Sequence, residues 1–162
     1  MPFGWGEEFN KVPCPGGKIR YVIKKMSDMG KAFSLYAPEV DYLVKGSLRT
    51  AQMIAEGGGE VEVKKKAEQI FENLDSIHID AVTKFTMHYT VFMASPCDEA
   101  AYDNLSKAID KISESIDTLR RLVTEMDRLK NKHLGGSAAE AIGNIGIIEG
   151  LLTDLGQAYK PE

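Results

Sequence analysis

The chain has 162 residues, of which 43% are hydrophobic and 27% are charged, and its formal net charge is −4. This composition is typical of a folded globular domain and excludes wholesale disorder. The acidic balance argues against a nucleic-acid binder, and no uncharged apolar run approaches the ~18 residues of a membrane span.

The first 17 residues differ from the rest of the chain because they contain three prolines and four glycines, which interrupt regular structure. The same segment carries the aromatic residues Phe3, Trp5 and Phe9. Burying one such side chain stabilises a fold by ~1.5–3 kcal/mol. We therefore expect these side chains to dock on this domain, on a partner or on lipid. The chain divides into this N-terminal segment, residues 1–17, and one domain, residues 18–162.

A long amphipathic helix is predicted from Lys18 to Glu56, because its apolar residues alternate in spacing between three and four. The apolar stripe crosses Pro38, which removes a helical hydrogen bond and clashes with the preceding turn. We expect the helix to kink near Ala37 or to split there into two stacked helices. Three consecutive glycines, residues 57–59, then end it.

A second helix is predicted over residues 60–94, although the alternating apolar residues from Phe85 to Met93 are also typical of a strand. His88 falls on the apolar stripe of this helix and is expected to be buried. A third helix should begin with Ser95 as its cap and Pro96 in its first position, and end near His133.

The fourth helix is predicted to begin after Ser137, which forms a capping box with Glu140. It contains four internal glycines, and we expect them to mark close helix packing: Gly143, Gly146, Gly150 and Gly156. Because this helix is the shortest, the sequence predicts an apolar groove beside it. This groove would be open to the first helix, to the N-terminal segment or to a partner.

Together these patterns predict an all-α fold, an antiparallel up-down-up-down four-helix bundle with long helices, the first kinked or split at Pro38. Helices one and three should begin at the same end, which brings Cys14 and Cys97 within reach of each other. No pattern of a secretory signal precedes the domain, so two free thiols and a cytoplasmic location are expected.

The sequence offers few candidate chemical groups. No metal site is predicted, because Asp75 and His78 form a single pair at the spacing that a carboxylate-bridged metal bundle repeats. No phosphate-binding glycine motif is present, so no cofactor and no catalytic residue are expected. The segment from His133 to Ala138 (His-Leu-Gly-Gly-Ser-Ala) resembles the phosphoacceptor segment of histidine phosphotransfer domains, which are also helical bundles. That resemblance implies that His133 accepts a phosphoryl group.

Positive charge is concentrated near the start of the first predicted helix. Between residues 11 and 31, six basic residues stand against one acidic residue, and the basic residues Lys18, Arg20, Lys24 and Lys25 are among them. A basic amphipathic helix next to an aromatic segment can lie on an anionic membrane. The predicted architecture is broadly similar to that of the four-helix executioner bundles of regulated cell death.

We therefore expect a non-enzymatic helical bundle that binds another protein or a second copy of itself, as an adaptor, regulator or small homo-oligomer. The first alternative is a membrane-engaging bundle that acts through Phe3, Trp5, Phe9 and the basic residues, at the membrane periphery. The second alternative is histidine phosphotransfer through His133. No nucleic-acid partner is expected.

Overall fold

The computed structural model describes residues 9–160 and is mostly helical, with one small antiparallel sheet. Strands β1 (Phe9–Cys14) and β2 (Lys18–Ile23) form a hairpin in which Phe9 lies opposite Ile23. The connecting 3-10 turn spans Pro15–Gly17, where Gly16 and Gly17 have φ of +80° and +74°, a conformation that favours glycine.

This hairpin shows that the prediction of a helix starting at Lys18 is wrong for residues 18–23. The segment Lys-Ile-Arg-Tyr-Val-Ile is rich in β-branched and aromatic residues, which suit a strand. Its partner strand comes from the N-terminal segment, which was expected to be irregular. The proposed boundary after residue 17 therefore falls inside the hairpin.

Of the two alternatives predicted at Pro38, a kink or a split, the structure shows the split. Helix α1 (Met29–Tyr36) and helix α2 (Pro38–Glu56) are separated by Ala37, whose φ of −133° and ψ of 58° are not helical. Pro38 occupies the first turn of α2, where a missing N–H costs no helical hydrogen bond.

Helix α3 (Val61–Ala94) confirms the second predicted helix over nearly its whole length, and the strand alternative for residues 85–93 is wrong. His88 is half-buried, and the buried position on this turn is taken by Tyr89. A helical period brings Phe85, Tyr89 and Phe92 onto one face, where tertiary packing outweighs their strand propensity.

The third predicted helix is two helices, α4 (Glu99–Ser113) and α5 (Ile116–Gly135). Its cap is Asp98, whose carboxylate accepts a hydrogen bond from the Ala100 N–H, so the prediction of Ser95 as the cap is wrong. At the break, the buried Ser115 hydroxyl donates to the carbonyl of Ile112 at 2.6 Å and also contacts the Tyr159 hydroxyl. These bonds hold the chain where the helical ladder is interrupted.

Helix α6 (Ala138–Tyr159) begins as predicted, with the Ser137 hydroxyl accepting a hydrogen bond from the Glu140 N–H at 3.2 Å. Its glycines do not mark close packing at three of the four positions. A Cβ atom added at Gly143, Gly146 or Gly150 would meet nothing within 4 Å, whereas one at Gly156 would lie 3.9 Å from Ile77.

Four helices pack side by side in the order α2, α3, α6 and α5. Helix α2 contacts α3 and α5, and helix α6 contacts the same two helices. Arg120, near the start of α5, bonds Glu39 near the start of α2, so these two neighbours run parallel. Helices α3 and α6 also run parallel, since Lys84 Nζ lies 3.3 Å from the Lys160 carbonyl oxygen while Ile77 lies beside Gly156.

The C-terminal half of α3 has different neighbours. It packs against α4, α1 and the hairpin, and α4 also contacts α6. The groove expected beside the fourth helix is therefore covered at its far end by α4. The break at Ser115 makes this arrangement possible, because α4 lies on α3 whereas α5 lies between α2 and α6.

Candidate functional site

A cluster of polar side chains lies where α1, α2 and α3 meet. The carboxylate of Asp41 is buried, accepts a hydrogen bond from the Ser34 hydroxyl at 2.9 Å and forms an ion pair with Lys45, whose Nζ lies 2.8 Å away. His78 Nε2 lies 3.7 Å from the other oxygen of Asp41, beyond hydrogen-bond distance. The buried carboxylate is thus neutralised and bonded by its neighbours on α1 and α2.

The imidazole of His78 is the less satisfied member of this cluster. Its Nδ1 atom is buried and has no hydrogen-bond partner among the described residues. Burial lowers the pKa of His78 below its usual 6.5, while the nearby charge of Asp41 opposes that shift. Its neutral ring packs edge-on against Phe33, with 5.5 Å between ring centroids.

This polar cluster forms one wall of a cavity of about 630 Å³. The opposite parts of the wall include the backbone around Gly30 and the side chains of Phe9 and Leu35. A shallow cavity of about 570 Å³ adjoins it and shares His78 and Val82. We call the two cavities together the α3 groove.

The second part of the α3 groove consists of one face of the C-terminal half of α3. Ile79 and Met87 are 56% and 49% exposed there, so two large apolar side chains of the groove face solvent. Three threonines complete this face: Thr83, Thr86 and Thr90. From residue 83 to residue 94 the helix contains one charged residue, Lys84, and its side chain is buried. The exposed surface of this stretch is therefore uncharged.

A group of aromatic side chains lies beneath the groove and holds the hairpin. The Tyr89 hydroxyl accepts a hydrogen bond from the Ile23 N–H at 3.1 Å and donates to the Tyr21 carbonyl at 3.2 Å. The Tyr36 hydroxyl donates to the same carbonyl. Burial raises the pKa of Tyr89 to about 12 and raises that of Tyr36 further, so both hydroxyls keep their protons.

The expectation of two free thiols is wrong, because Cys14 and Cys97 form a disulfide between the end of β1 and the residues before α4. Their Cα atoms are 5.4 Å apart. The hairpin, which the sequence did not predict, carries Cys14 to the start of α4. A disulfide is typical of an oxidising compartment, so the cytoplasmic location stays a prediction.

The structure places the predicted basic residues on the hairpin and just after it, not on an amphipathic helix. Lys18 Nζ lies 2.8 Å from a carboxylate oxygen of Glu99, and this contact lowers the pKa of Glu99. The Arg20 guanidinium lies 3.8 Å from the ring centroid of Tyr102 and is largely buried. Lys24 and Lys25 are exposed after β2. Two of the four predicted cations therefore attach the hairpin to α4.

The aromatic residues of the N-terminal segment divide into two groups. Phe9 is 5% exposed and belongs to the core, where it also lines the α3 groove. Phe3 and Trp5 lie outside the described residues. The predicted joint surface of aromatic and basic residues is therefore described in part, at Phe9 and along the hairpin.

His133 lies at the end of α5 against the glycine turn that precedes α3. Its ring comes so close to Gly59 that a Cβ added there would lie 3.0 Å from Cε1. Both ring nitrogens are buried and lack hydrogen-bond partners among residues 9–160. In this conformation neither nitrogen is accessible to a phosphodonor.

Two features of the sequence relate to the groove, although helical periodicity alone does not reveal them. Asp41 is three residues before the buried Val44, so an acidic residue occupies the inner face of α2. Its partner Ser34 is seven residues away, across the break at Ala37. The second feature is the absence of exposed charge from residue 83 to residue 94, which is unusual for a solvated helix face.

Two further searches of the described part of the chain were negative. Among residues 9–160, no three His, Cys, Asp or Glu side chains are grouped closely enough to hold a metal ion. Within the same range, no helix has both the length and the apolar character needed to cross a bilayer. No protein-family model, curated protein or solved structure matches this chain, so the case for its function rests on the geometry above.

Proposed function

We propose that this protein is a non-enzymatic protein-interaction module and that the α3 groove is its binding surface. The observation that carries the proposal is the continuous groove in which Ile79 and Met87 are exposed, and which includes the stretch of α3 from residue 83 onward whose exposed surface is uncharged. Exposed apolar surface of this kind is typical of sites that another protein covers. The neighbouring polar cluster supports the non-enzymatic part, since Asp41 is already bonded and lies 3.7 Å from His78.

The chemistry of the groove defines the partner that it fits. The part of the groove that lies along α3 runs from His78 to Thr90, a distance of about 18 Å at ~1.5 Å per residue. An amphipathic helix of about three turns covers this distance and buries apolar side chains at every third or fourth position. Because the α3 face is uncharged, the contacting face of that helix must be free of Asp, Glu, Lys and Arg, whose desolvation would cost binding energy.

We infer further that the rest of the molecule is a rigid scaffold, a four-helix bundle in which α2, α3, α6 and α5 follow one another around the core. The contacts of each helix with two of the others support this arrangement. Spin labels at Met53 and Leu134 test the parallel direction of α2 and α5. We expect a separation below ~20 Å, whereas antiparallel helices of this length would place the labels ~30 Å apart.

The binding proposal is tested with a photo-crosslinking residue at Thr90, used to identify a partner in an extract of the source cells. The identified partner is then titrated against purified variants. Met87→Glu places a charge in the groove and should weaken binding at least ~10-fold. Val61→Glu, at an exposed position in the first turn of α3, is the matched control and should leave binding unchanged. Equal effects of the two substitutions would contradict the proposal.

The two alternative functions stay predictions with less support. Membrane engagement was expected from a basic amphipathic helix, and the structure has a hairpin there instead. Flotation with anionic vesicles tests it, with Lys24→Glu/Lys25→Glu as the variant expected to abolish binding. Phosphotransfer requires an accessible His133 nitrogen, and labelling of wild type and His133→Ala by a phosphodonor tests that requirement.

A further inference from the structure

We propose that the Cys14–Cys97 disulfide is a redox-controlled latch that fastens the β-hairpin over the C-terminal half of α3. The proposal is independent of what the α3 groove binds. The disulfide joins residues 83 positions apart and connects the last residue of β1 to the segment before α4. Because it joins two units that otherwise touch through side chains, its reduction affects their attachment and leaves each backbone intact.

The position of the disulfide makes it accessible to a thiol reductant. Cys97 is exposed, and Cys14 is half-buried at the edge of the hairpin. Cys97 also precedes the first turn of α4 by two residues, and the positive end of a helix favours its release as a thiolate in the second step of the reduction. The acidic Glu99 nearby is paired with Lys18 at 2.8 Å, which reduces its opposing effect.

The chemical step requires a dithiol reductant. Its first thiolate forms a bond to the Cys97 sulfur, the Cys14–Cys97 bond breaks, and the Cys14 sulfur leaves as a thiolate that takes a proton from water. The second thiol of the reductant, once deprotonated, forms its own disulfide and releases the Cys97 thiolate. Two electrons pass to the protein, two protein thiols result, and the reductant becomes a disulfide.

After reduction the hairpin is held by non-covalent contacts alone. They are the Tyr89 and Tyr36 hydroxyl bonds to the hairpin backbone, the contacts of Lys18 with Glu99 and of Arg20 with Tyr102, and the burial of Phe9, Val22 and Ile23. An isolated two-stranded hairpin is marginally stable in water, so it depends on this attachment. Opening of the hairpin would uncover Tyr89, whose hydroxyl bonds the hairpin backbone, whereas the packing of α2, α5 and α6 lies outside the opened region.

Amide hydrogen exchange of the oxidised protein, with and without dithiothreitol under native conditions, tests the latch. We expect the backbone amides of β1 and β2, including that of Ile23, to exchange at least ~10-fold faster after reduction. Amides in the middle of α5 and α6 should change less than ~2-fold. Oxidation should restore the original rates.

Three results would overturn the proposal. The first is unchanged exchange in the hairpin after complete reduction, and the second is an equal increase in all helices, which would mean that the disulfide stabilises the whole fold. The third is resistance of the disulfide to dithiothreitol in the native state. The variant Cys14→Ser/Cys97→Ser is the control: its hairpin should exchange as in the reduced protein and should not respond to the reductant. If this variant does not fold, the difference in exchange rates between the oxidised and the reduced wild-type protein still tests the proposal.

Discussion

The two ends of the molecule are stabilised in different ways. At the end formed by α2, α5, α6 and the first half of α3, stability comes from many buried Leu, Ile and Ala side chains, each contributing a similar contact. At the hairpin end, a few individual bonds connect the elements, such as the disulfide, the tyrosine hydroxyls and the contact of Arg20 with Tyr102. At the helical end, the effect of losing one contact should be distributed over the neighbouring residues. At the hairpin end, the effect should be confined to the residues near the lost contact.

Among the substitutions that test this comparison, one that creates a cavity at the helical end should have the largest effect on stability. Leu122 is fully buried in α5, and Leu122→Ala should lower the free energy of unfolding by about 3 kcal/mol, because it removes apolar contacts and leaves a void. Urea unfolding at equilibrium measures this loss. Val61→Ala, at a position that is 62% exposed, is the matched control and should have little effect. Similar losses in both variants would show that Leu122 does not belong to a close-packed core.

A smaller effect is expected at the hairpin end from Tyr89→Phe. The substitution keeps the ring but removes the hydroxyl, so the buried Ile23 N–H loses its acceptor, and stability should fall by about 2 kcal/mol. Hydrogen exchange should also accelerate at the hairpin more than in α6. Tyr42→Phe, at an exposed tyrosine on α2, is the control, and an equal loss there would contradict the role of the Tyr89 hydroxyl.

The cap of α6 contributes less. Ser137→Ala removes the hydroxyl that accepts from the Glu140 N–H and should cost about 1 kcal/mol. Thermal unfolding monitored by circular dichroism measures it. Ser137→Asp keeps an acceptor at the same place and should retain most of the stability, so a loss in Ser137→Asp as large as in Ser137→Ala would count against a capping role.

The smallest effect should be a dependence of stability on pH at the junction of the two ends. Because the pKa of His78 is lowered by burial, the folded protein binds this proton less readily than the unfolded chain. Stability should therefore decrease as pH falls below 6.5 and through the lower folded pKa. The neighbouring charges of Asp41, Lys45 and Asp75 tune this pKa. In His78→Gln the decrease should be weaker, and an unchanged pH profile of urea unfolding would contradict this prediction.

The difference between the helical end and the hairpin end also explains which elements of the fold could be predicted from the sequence. Helical periodicity reports which residues face a core, and it correctly indicated α3, whereas the interruption at Pro38 and the start of α6 were indicated by the proline and by the Ser137 cap. The hairpin was missed because Ile19 and Val22 also fit a helical spacing that continues into the next helix, although the β-branched and aromatic residues of β2 favour a strand. An unbroken apolar stripe likewise concealed the break at Ser115, which depends on a hydroxyl contact with Tyr159.

The candidate site was predicted even less completely, for a related reason. To predict the apolar face of the groove, one must know which side of α3 the other elements leave uncovered. That side depends on where α1 and the hairpin pack. Phe9 was predicted to bind a membrane or a partner or to dock on this domain, and the structure places it in the core beside the groove. Asp41 and Ser34 were not singled out, because they meet across the non-helical Ala37.

The buried ammonium of Lys84 on α3 restricts the length that helix α6 can have. Lys84 is 3% exposed and donates a hydrogen bond to the Lys160 carbonyl, at the negative end of the α6 dipole. Insertion of one residue into α6 would rotate its last carbonyls by about 100° and shift them by ~1.5 Å, which would leave a buried positive charge without this acceptor. Substitutions on the exposed face of α6 should therefore be tolerated, whereas a change in the length of this helix should not.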